Sequence, residues 1–312
     1  MLIFTDNPDF SEQIHSSITQ MRPVEHSSFP ENLQQIRQEL YSEKDIFVGD
    51  SETNQSFKYF FISEHVSFSQ YDMLLRFANL NYRFQDNILC FAGSGNNFHG
   101  FRQRKWSSLP GNIHLSLLLH PGKIIKFADS AFLILAANAV TQTINQLERM
   151  KQKAINRWVN DIMIDQCKVG GVLVQTQILG KTIDKVVLGI GVNVDNSPEI
   201  ENDQFVNKTT HINQHVDGKA HSLKDILAVL ISNLERNYQD ILKNNYNDLL
   251  NYYLNHSMVI GKYVEIYSDP QEGEIEKIAE GVVSGMTEKL ELILTGRKEV
   301  VHKGRIKLLN SA

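Results

Sequence analysis

Cysteine is nearly absent: Cys90 and Cys167 are the two thiols in 312 residues. Two cysteines supply neither a disulfide framework nor a zinc quartet, so a reducing, cytoplasmic setting is expected. Long apolar runs are missing as well. The longest, Ala128 to Val140, falls short of the ~18 residues a membrane span needs and contains Asp129 and Asn138. The opening Met1-Leu2-Ile3-Phe4-Thr5-Asp6 has no basic segment, is too short for a signal peptide, and reads as a first buried strand. A soluble protein without a membrane partner is expected. Positive charge is not in excess: 31 Lys plus Arg against 36 Asp plus Glu leave −5. That balance argues against a surface dominated by nucleic-acid binding, though a local basic site is compatible with it.

What the chain does have is organised around Arg157 to Gln175. Ile162, Met163 and Ile164 lead into Asp165-Gln166, and Val169 to Val174 lead out, the pattern of a hairpin bounded by turn residues. Arg157, Asn160, Asp161 and Lys168 set two cations and two hydrogen-bonding side chains on the rim of these strands. Gly170-Gly171 removes two β-carbons from the returning strand, which lets a ligand or another backbone come close. An anion site is one reading of this pattern, and a surface hairpin with solvated charges is the other. Cys167, beside Lys168, reads as a bystander in the turn.

The run also resembles the Lys-Trp-Pro-Asn-Asp … Lys-(Leu/Ile)-x-Gly-(Ile/Val)-Leu signature of the biotin protein ligase family. Arg157-Trp158-Val159-Asn160-Asp161 and Lys168-Val169-Gly170-Gly171-Val172-Leu173 stand in the matching places. Two more blocks keep the family's order. Arg102 to Asn112 is similar to the end of its Gly-Arg-rich loop and the Trp-x-Ser-Pro-x-Gly that follows, and Val187 to Val194 is similar to its Gly-x-Gly-Ile-Asn strand. The likeness runs from about Phe57 to the C-terminus.

The resemblance implies an α+β fold: a class II synthetase-like mixed β-sheet with packed helices over residues 57–256, then a small SH3-like β-barrel over 257–312. The residues themselves read compatibly. Strands are expected at Phe57–Ile62, Ile88–Ala92 and Ile113–Leu119, and helices at Ser69–Leu80 and Ala128–Leu147. Ser222 caps a helical stretch expected to continue to about His256. Five short β-rich runs occupy 261–309. Residues 1–56 have an unclear role. Some relatives carry a winged helix-turn-helix there, but this chain shows one clear helical pattern, Asn32 to Tyr41, and no basic cluster, so no nucleic-acid partner is expected.

Residue by residue, the resemblance implies that Ser69 and Gln70 hold the ureido end of biotin, although Ser67 or Ser69 as a plain helix N-cap fits equally. Gly100, Lys168, Gly170 and Gly171 complete the biotin site. Arg102, Arg104, Trp106, Arg157, Asn160, Asp161 and Asn193 serve ATP, with Trp106 stacked on the adenine. The loop before Trp106 departs from the family's Gly-Arg-Gly-Arg-x-Gly-Arg. Counting back without a gap, Gly100 and Arg104 match, whereas Phe98, His99, Phe101 and Gln103 replace the first glycine, two arginines and the last glycine. A one-residue gap would let Arg102 stand in. This polar, Gly-containing loop of about a dozen residues is expected to be mobile when empty. Gly189 and Gly191 lie inside a strand and so are no dinucleotide fingerprint; they are expected to admit the nucleotide. His211, His215 and His221 do not share a helical face, which disfavours a metal site.

The function implied is an ATP-dependent ligase that makes biotinyl-5'-AMP and passes biotin to a lysine of a carboxylase carrier domain. Joining a carboxylate to a triphosphate brings two anions together, so fixed cations are needed; Lys168, Arg104 and Arg102 are the catalytic candidates. Mg²⁺ is expected on the ATP. Two alternatives stay open: a lipoate or other acyl protein ligase of the same fold, and a ligand-binding relative without turnover.

Overall fold

A period of two in the apolar strands sets the architecture in the computed structural model, which describes all residues except 16, 17, 19, 26, 27, 52–55, 81–84, 200–204, 206, 207, 217, 271, 272 and 310–312. Along Tyr59-Phe60-Phe61-Ile62, Phe60 and Ile62 enter one core while Tyr59 and Phe61 enter another on the opposite face. Ile88 to Ala92 alternates in the same way, and every residue of Ile113–Leu119 is buried. Strands apolar on both faces have to be covered on both faces.

The sheet they build has ten strands: β1 (Leu2–Thr5), β2 (Arg22–Val24), β3 (Ile46–Asp50), β4 (Tyr59–Val66), β5 (Ile88–Gly95), β6 (Ile113–Leu119), β7 (Ala154–Arg157), β8 (Asp161–Ile164), β9 (Cys167–Leu179) and β10 (Thr182–Val192). Their order is β2-β3-β1-β4-β5-β6-β10-β9-β8-β7. β1 with β4 and β4 with β5 run parallel; the other pairs are antiparallel. Residues 1–56 therefore do not stand apart. They extend the same sheet, with Leu2 to Thr5 paired in parallel register with Tyr59 to Ile62.

One face is covered by α1 (Pro8–Ile14), α4 (Ala128–Gln146), α5 (Leu223–Leu242) and α6 (Tyr246–Asn255), the other by α2 (Gln34–Tyr41) and α3 (Gln70–Asn79). Helix α4 is apolar nearly all round because it lies between the sheet and α5 and α6. The stretch from Ser222 is two helices, not the single one expected. Asn244 takes a left-handed conformation (φ 63°), which asparagine tolerates, and the chain turns there. Among the described residues no helix is long and apolar enough to cross a membrane.

The C-terminal region forms a second, antiparallel sheet of β11 (Tyr263–Tyr267), β12 (Lys277–Met286), β13 (Leu292–Leu294) and β14 (Arg305–Leu308), in the order β13-β12-β11-β14. Of the five runs expected, Glu299–His302 contributes a single bridge, Val301 to Leu292, instead of a strand. Val264, Ile266, Val283, Leu292 and Ile306 pack into the same core as α4, and the Trp158 indole N–H donates to Leu290 O at 2.6 Å.

Candidate active site

A cavity of about 790 Å³ opens where α3, the 98–106 loop, β9, β10 and β14 meet, a size ordinary for small-ligand sites. The β8–β9 hairpin supplies its charged wall. Asp165 and Gln166 both take positive φ (48° and 65°), the tight turn that reverses the chain. The register then shifts between Ile162↔Gly170 and Met163↔Lys168, leaving Val169 as the extra residue of a bulge. Bulges re-aim side chains. Here the Lys168 chain lies over Gly171, where a β-carbon would stand 3.4 Å from Lys168 Nζ.

Asp161 is the hub of this wall. Lys168 Nζ is 2.6 Å from its Oδ1, and Arg157 Nη2 donates to its Oδ2 at 2.5 Å. Burial works to raise the carboxyl pKa, but the Lys168 and Arg157 cations overcome it and hold the group well below the usual carboxylate range. Arg157 Nη1 also donates to Phe205 O at 2.6 Å, so both ends of its guanidinium are fixed. Asn160 lines the cavity while its Nδ2 donates to Val172 O at 2.9 Å, tying the turn to β9.

Two aromatic rings fill the space that the glycines of β10 free. A β-carbon at Gly191 would sit 2.4 Å from the Trp106 ring and one at Gly189 would sit 3.0 Å from Tyr71. What these glycines admit directly is the aromatic wall. Lys168 Nζ lies 5.9 Å from the Trp106 ring centre. The Trp106 indole N–H donates to His114 Nδ1 (3.3 Å), and His114 Nε2 donates to Leu109 O (3.1 Å), which fixes one neutral tautomer. Burial pushes the His114 pKa down to about 4, against the opposing pull of the Leu109 carbonyl.

The loop that departs from the family pattern is tethered at three points. His99 Nε2 lies 2.8 Å from Asp72 Oδ1, and its Nδ1 lies 3.0 Å from Gly100 O. Burial opposes the imidazolium, yet the Gly100 carbonyl and Asp72 outweigh it and raise the pKa. The Gly100 N–H donates to Arg104 O (2.6 Å), closing the turn. Arg102 and Arg104 both meet Asp269 of the C-terminal region, at 3.3 and 3.4 Å.

The other expected residues divide. Ser69 lines the cavity and also caps α3, accepting from the Asp72 N–H at 3.3 Å, so its two readings coexist. Gln70 is fully buried, outside the cavity lining, with Nε2 donating to Phe91 O at 3.4 Å. Gly170 serves the sheet, since a β-carbon there would meet Gly191 O at 2.8 Å. Asn193 lines the cavity; Nδ2 donates to Thr210 O, while its buried Oδ1 has no hydrogen-bond partner among the described residues. Sequence reasoning missed Asp269, Tyr71 and the loop-fixing role of Asp72. Asp269-Pro270 reads only as a turn, and nothing local marks it as a partner of two arginines. Among the described residues no group of three His, Cys, Asp or Glu could hold a metal ion.

Residues 84–193, which hold the aromatic wall, the loop and the Lys168 hairpin, match the model of the biotin/lipoate A/B protein ligase family. Pairwise likeness to curated proteins is partial as well. The chain is 28% identical over 163 residues to a bifunctional ligase/repressor BirA of Bacillus subtilis (strain 168), covering 52% of this chain and 49% of that protein. It is 30% identical over 110 residues to a biotin--[acetyl-CoA-carboxylase] ligase of Paracoccus denitrificans, covering 35% and 43%. These matches span about half the length of the curated relatives or less. A biotin protein ligase from Aquifex aeolicus in complex with biotin and ATP superposes with a TM-score of 0.61 at 21% identity, over 82% of this chain and 100% of that one. At that identity the likeness is one of fold.

Proposed function

We propose that this chain is an ATP-dependent biotin protein ligase. The observation that carries the reading is the Lys168 ammonium, re-aimed by a bulge, held by Asp161 and standing 5.9 Å from the Trp106 ring at the wall of one cavity. A relative named as a biotin--[acetyl-CoA-carboxylase] ligase, and a structural neighbour whose complex contains biotin and ATP, suggest the substrates.

In the first step a biotin carboxylate oxygen attacks the α-phosphorus of ATP, the bond to the bridging oxygen breaks, and pyrophosphate leaves. Lys168 draws the two anions together and stabilises charge on the α-phosphate as it develops. Asp161 is a positioning residue, since it fixes the lysine without touching the reacting atoms. Trp106 and Asn193 hold the nucleotide, the latter through its unpartnered Oδ1; Arg102 and Arg104 meet the phosphates. Mg²⁺ carried on the triphosphate would supply charge neutralisation for the departing pyrophosphate. In the second step the neutral ε-amine of an acceptor lysine attacks the acyl carbon; the acyl C–O bond breaks, AMP leaves, and the amine gives up a proton. The acceptor is a biotin carboxyl carrier domain.

Residues 57–256 form the catalytic unit in this account and residues 1–56 extend its sheet. Residues 257–312 form an SH3-like unit that helps to close the site and receive the acceptor. The setting is the cytoplasm, in keeping with two unpaired thiols. Phe98, His99 and Phe101 at the cavity make the lid bulkier than a Gly-Arg loop, which favours keeping lipoate and octanoate beside biotin as test acids. ATP–pyrophosphate exchange with each of the three is the experiment. Exchange driven by biotin supports the reading, exchange driven by one of the others assigns a different acyl ligase, and exchange with none leaves a binding protein.

A further inference from the structure

Arg102 Nε lies 3.3 Å from Asp269 Oδ2, and Arg104 Nη1 lies 3.4 Å from Asp269 Oδ1. Two guanidinium groups therefore take one oxygen each of a single carboxylate, and all three side chains line the cavity. Arg102 and Arg104 come from the loop before Trp106, whereas Asp269 follows β11 in the C-terminal sheet, more than 160 residues further along the chain. Both guanidinium carbons lie close to the Phe101 ring, 5.5 and 5.8 Å from its centre. This is a formed anion site with an anion from the chain itself in it.

The occupant fits loosely. Charge-assisted N–H···O contacts are best near 2.7–2.9 Å, and both of these are longer. Arg102 Nε is buried and makes no geometrically formed hydrogen bond although Asp269 is its neighbour. The loop pays for the arrangement in backbone conformation: Arg102 and Gln103 are consecutive non-glycine residues at φ 55° and 59°, a region such residues seldom take unless their surroundings impose it. An incoming phosphate offers more charge and more acceptor oxygens than the carboxylate, and it can approach both guanidiniums at shorter range.

We propose that Asp269 is an internal competitor for the nucleotide: it occupies the anion site of Arg102 and Arg104, latches the loop to the C-terminal sheet, and is displaced when ATP phosphates take its place. This rests on the proposed function for the identity of the nucleotide, but not for the anion exchange itself. The residue lowers apparent ATP affinity by the fraction of molecules in which the latch is closed. It also makes nucleotide binding release a contact between the catalytic loop and the C-terminal sheet.

The test is calorimetric titration of the full chain and of its Asp269→Asn and Asp269→Glu variants with ATP, with inorganic tripolyphosphate and with biotin. If the latch closes roughly nine molecules in ten, Asp269→Asn binds ATP and tripolyphosphate about tenfold more tightly, while Asp269→Glu, which keeps the charge, stays close to the wild type. Biotin affinity unchanged across all three proteins certifies that the variants are folded. A variant that fails this control is replaced by Asp269→Ser, with the same expectation. Equal or weaker binding of both anions by the neutral variant overturns the inference, as does a wild-type protein that binds neither. Tighter tripolyphosphate binding without ATP binding upholds the latch and sinks the ligase reading instead.

Discussion

Asp161 shows how one side chain organises the charged wall of the cavity. It balances Lys168 and Arg157 together, so Asp161→Ala leaves two clustered cations without their counter-charge and is expected to cost about 3–5 kcal/mol of stability, read by urea unfolding. Because its folded pKa is depressed, its contribution is complete above the unfolded value near pH ~4 and fades only as pH falls below that. His114 acts in a different window. Its pKa falls from 6.5 to about 4 on folding, so the unfolded chain binds the extra proton first and stability is lost as pH drops from 6.5 towards 4. The loss is up to about 3 kcal/mol. His114→Gln should lack that slope in urea midpoints taken across the window; an identical slope in both proteins would refute the buried neutral imidazole. His99 has the opposite sign, since its raised pKa gives stability that is present below pH 6.5 and lost as pH rises through the folded value.

At the scale of elements, what the sequence revealed depended on range. The β8–β9 hairpin was legible because its turn, its alternation and its charges all lie within nineteen residues, Arg157 to Gln175. Strands β4, β5 and β6 were legible from short apolar stretches, Tyr59–Ile62, Ile88–Ala92 and Leu117–Leu119, the last continuous enough to imply burial on both faces. The break between α5 and α6 was not, because a single left-handed Asn244 does the work and the apolar spacing continues past it. Gly189 and Gly191 were recognised as places of close approach, but what approaches them comes from α3 and from the loop before β6, which pattern alone does not bring together. Gly191→Ala is expected to push Trp106 out of its seat. ATP binding should weaken by ~1–3 kcal/mol, as for Trp106→Ala, with biotin binding little changed. Calorimetry that finds equal loss for both ligands would make Trp106 an ordinary packing residue.

On the scale of the whole molecule, the ten-stranded sheet and the C-terminal sheet share one core through Val264, Ile266 and Leu292. Both should unfold in a single calorimetric transition, whereas two separated transitions would show independent units. The N-terminal strands were illegible as part of this sheet because β1 finds its partner β4 more than fifty residues on. Asp269 and its arginines are further apart still. The central proposal is that the cavity forms an acyl-adenylate with Lys168 as its cation. Biotin-dependent ATP–pyrophosphate exchange by the wild type and by Lys168→Gln, each verified as folded by its melting curve, tests that claim most directly. The account predicts that the variant keeps its fold and exchanges ~10²–10³-fold more slowly, about 3–4 kcal/mol of lost transition-state stabilisation. Near wild-type exchange by the variant would contradict it.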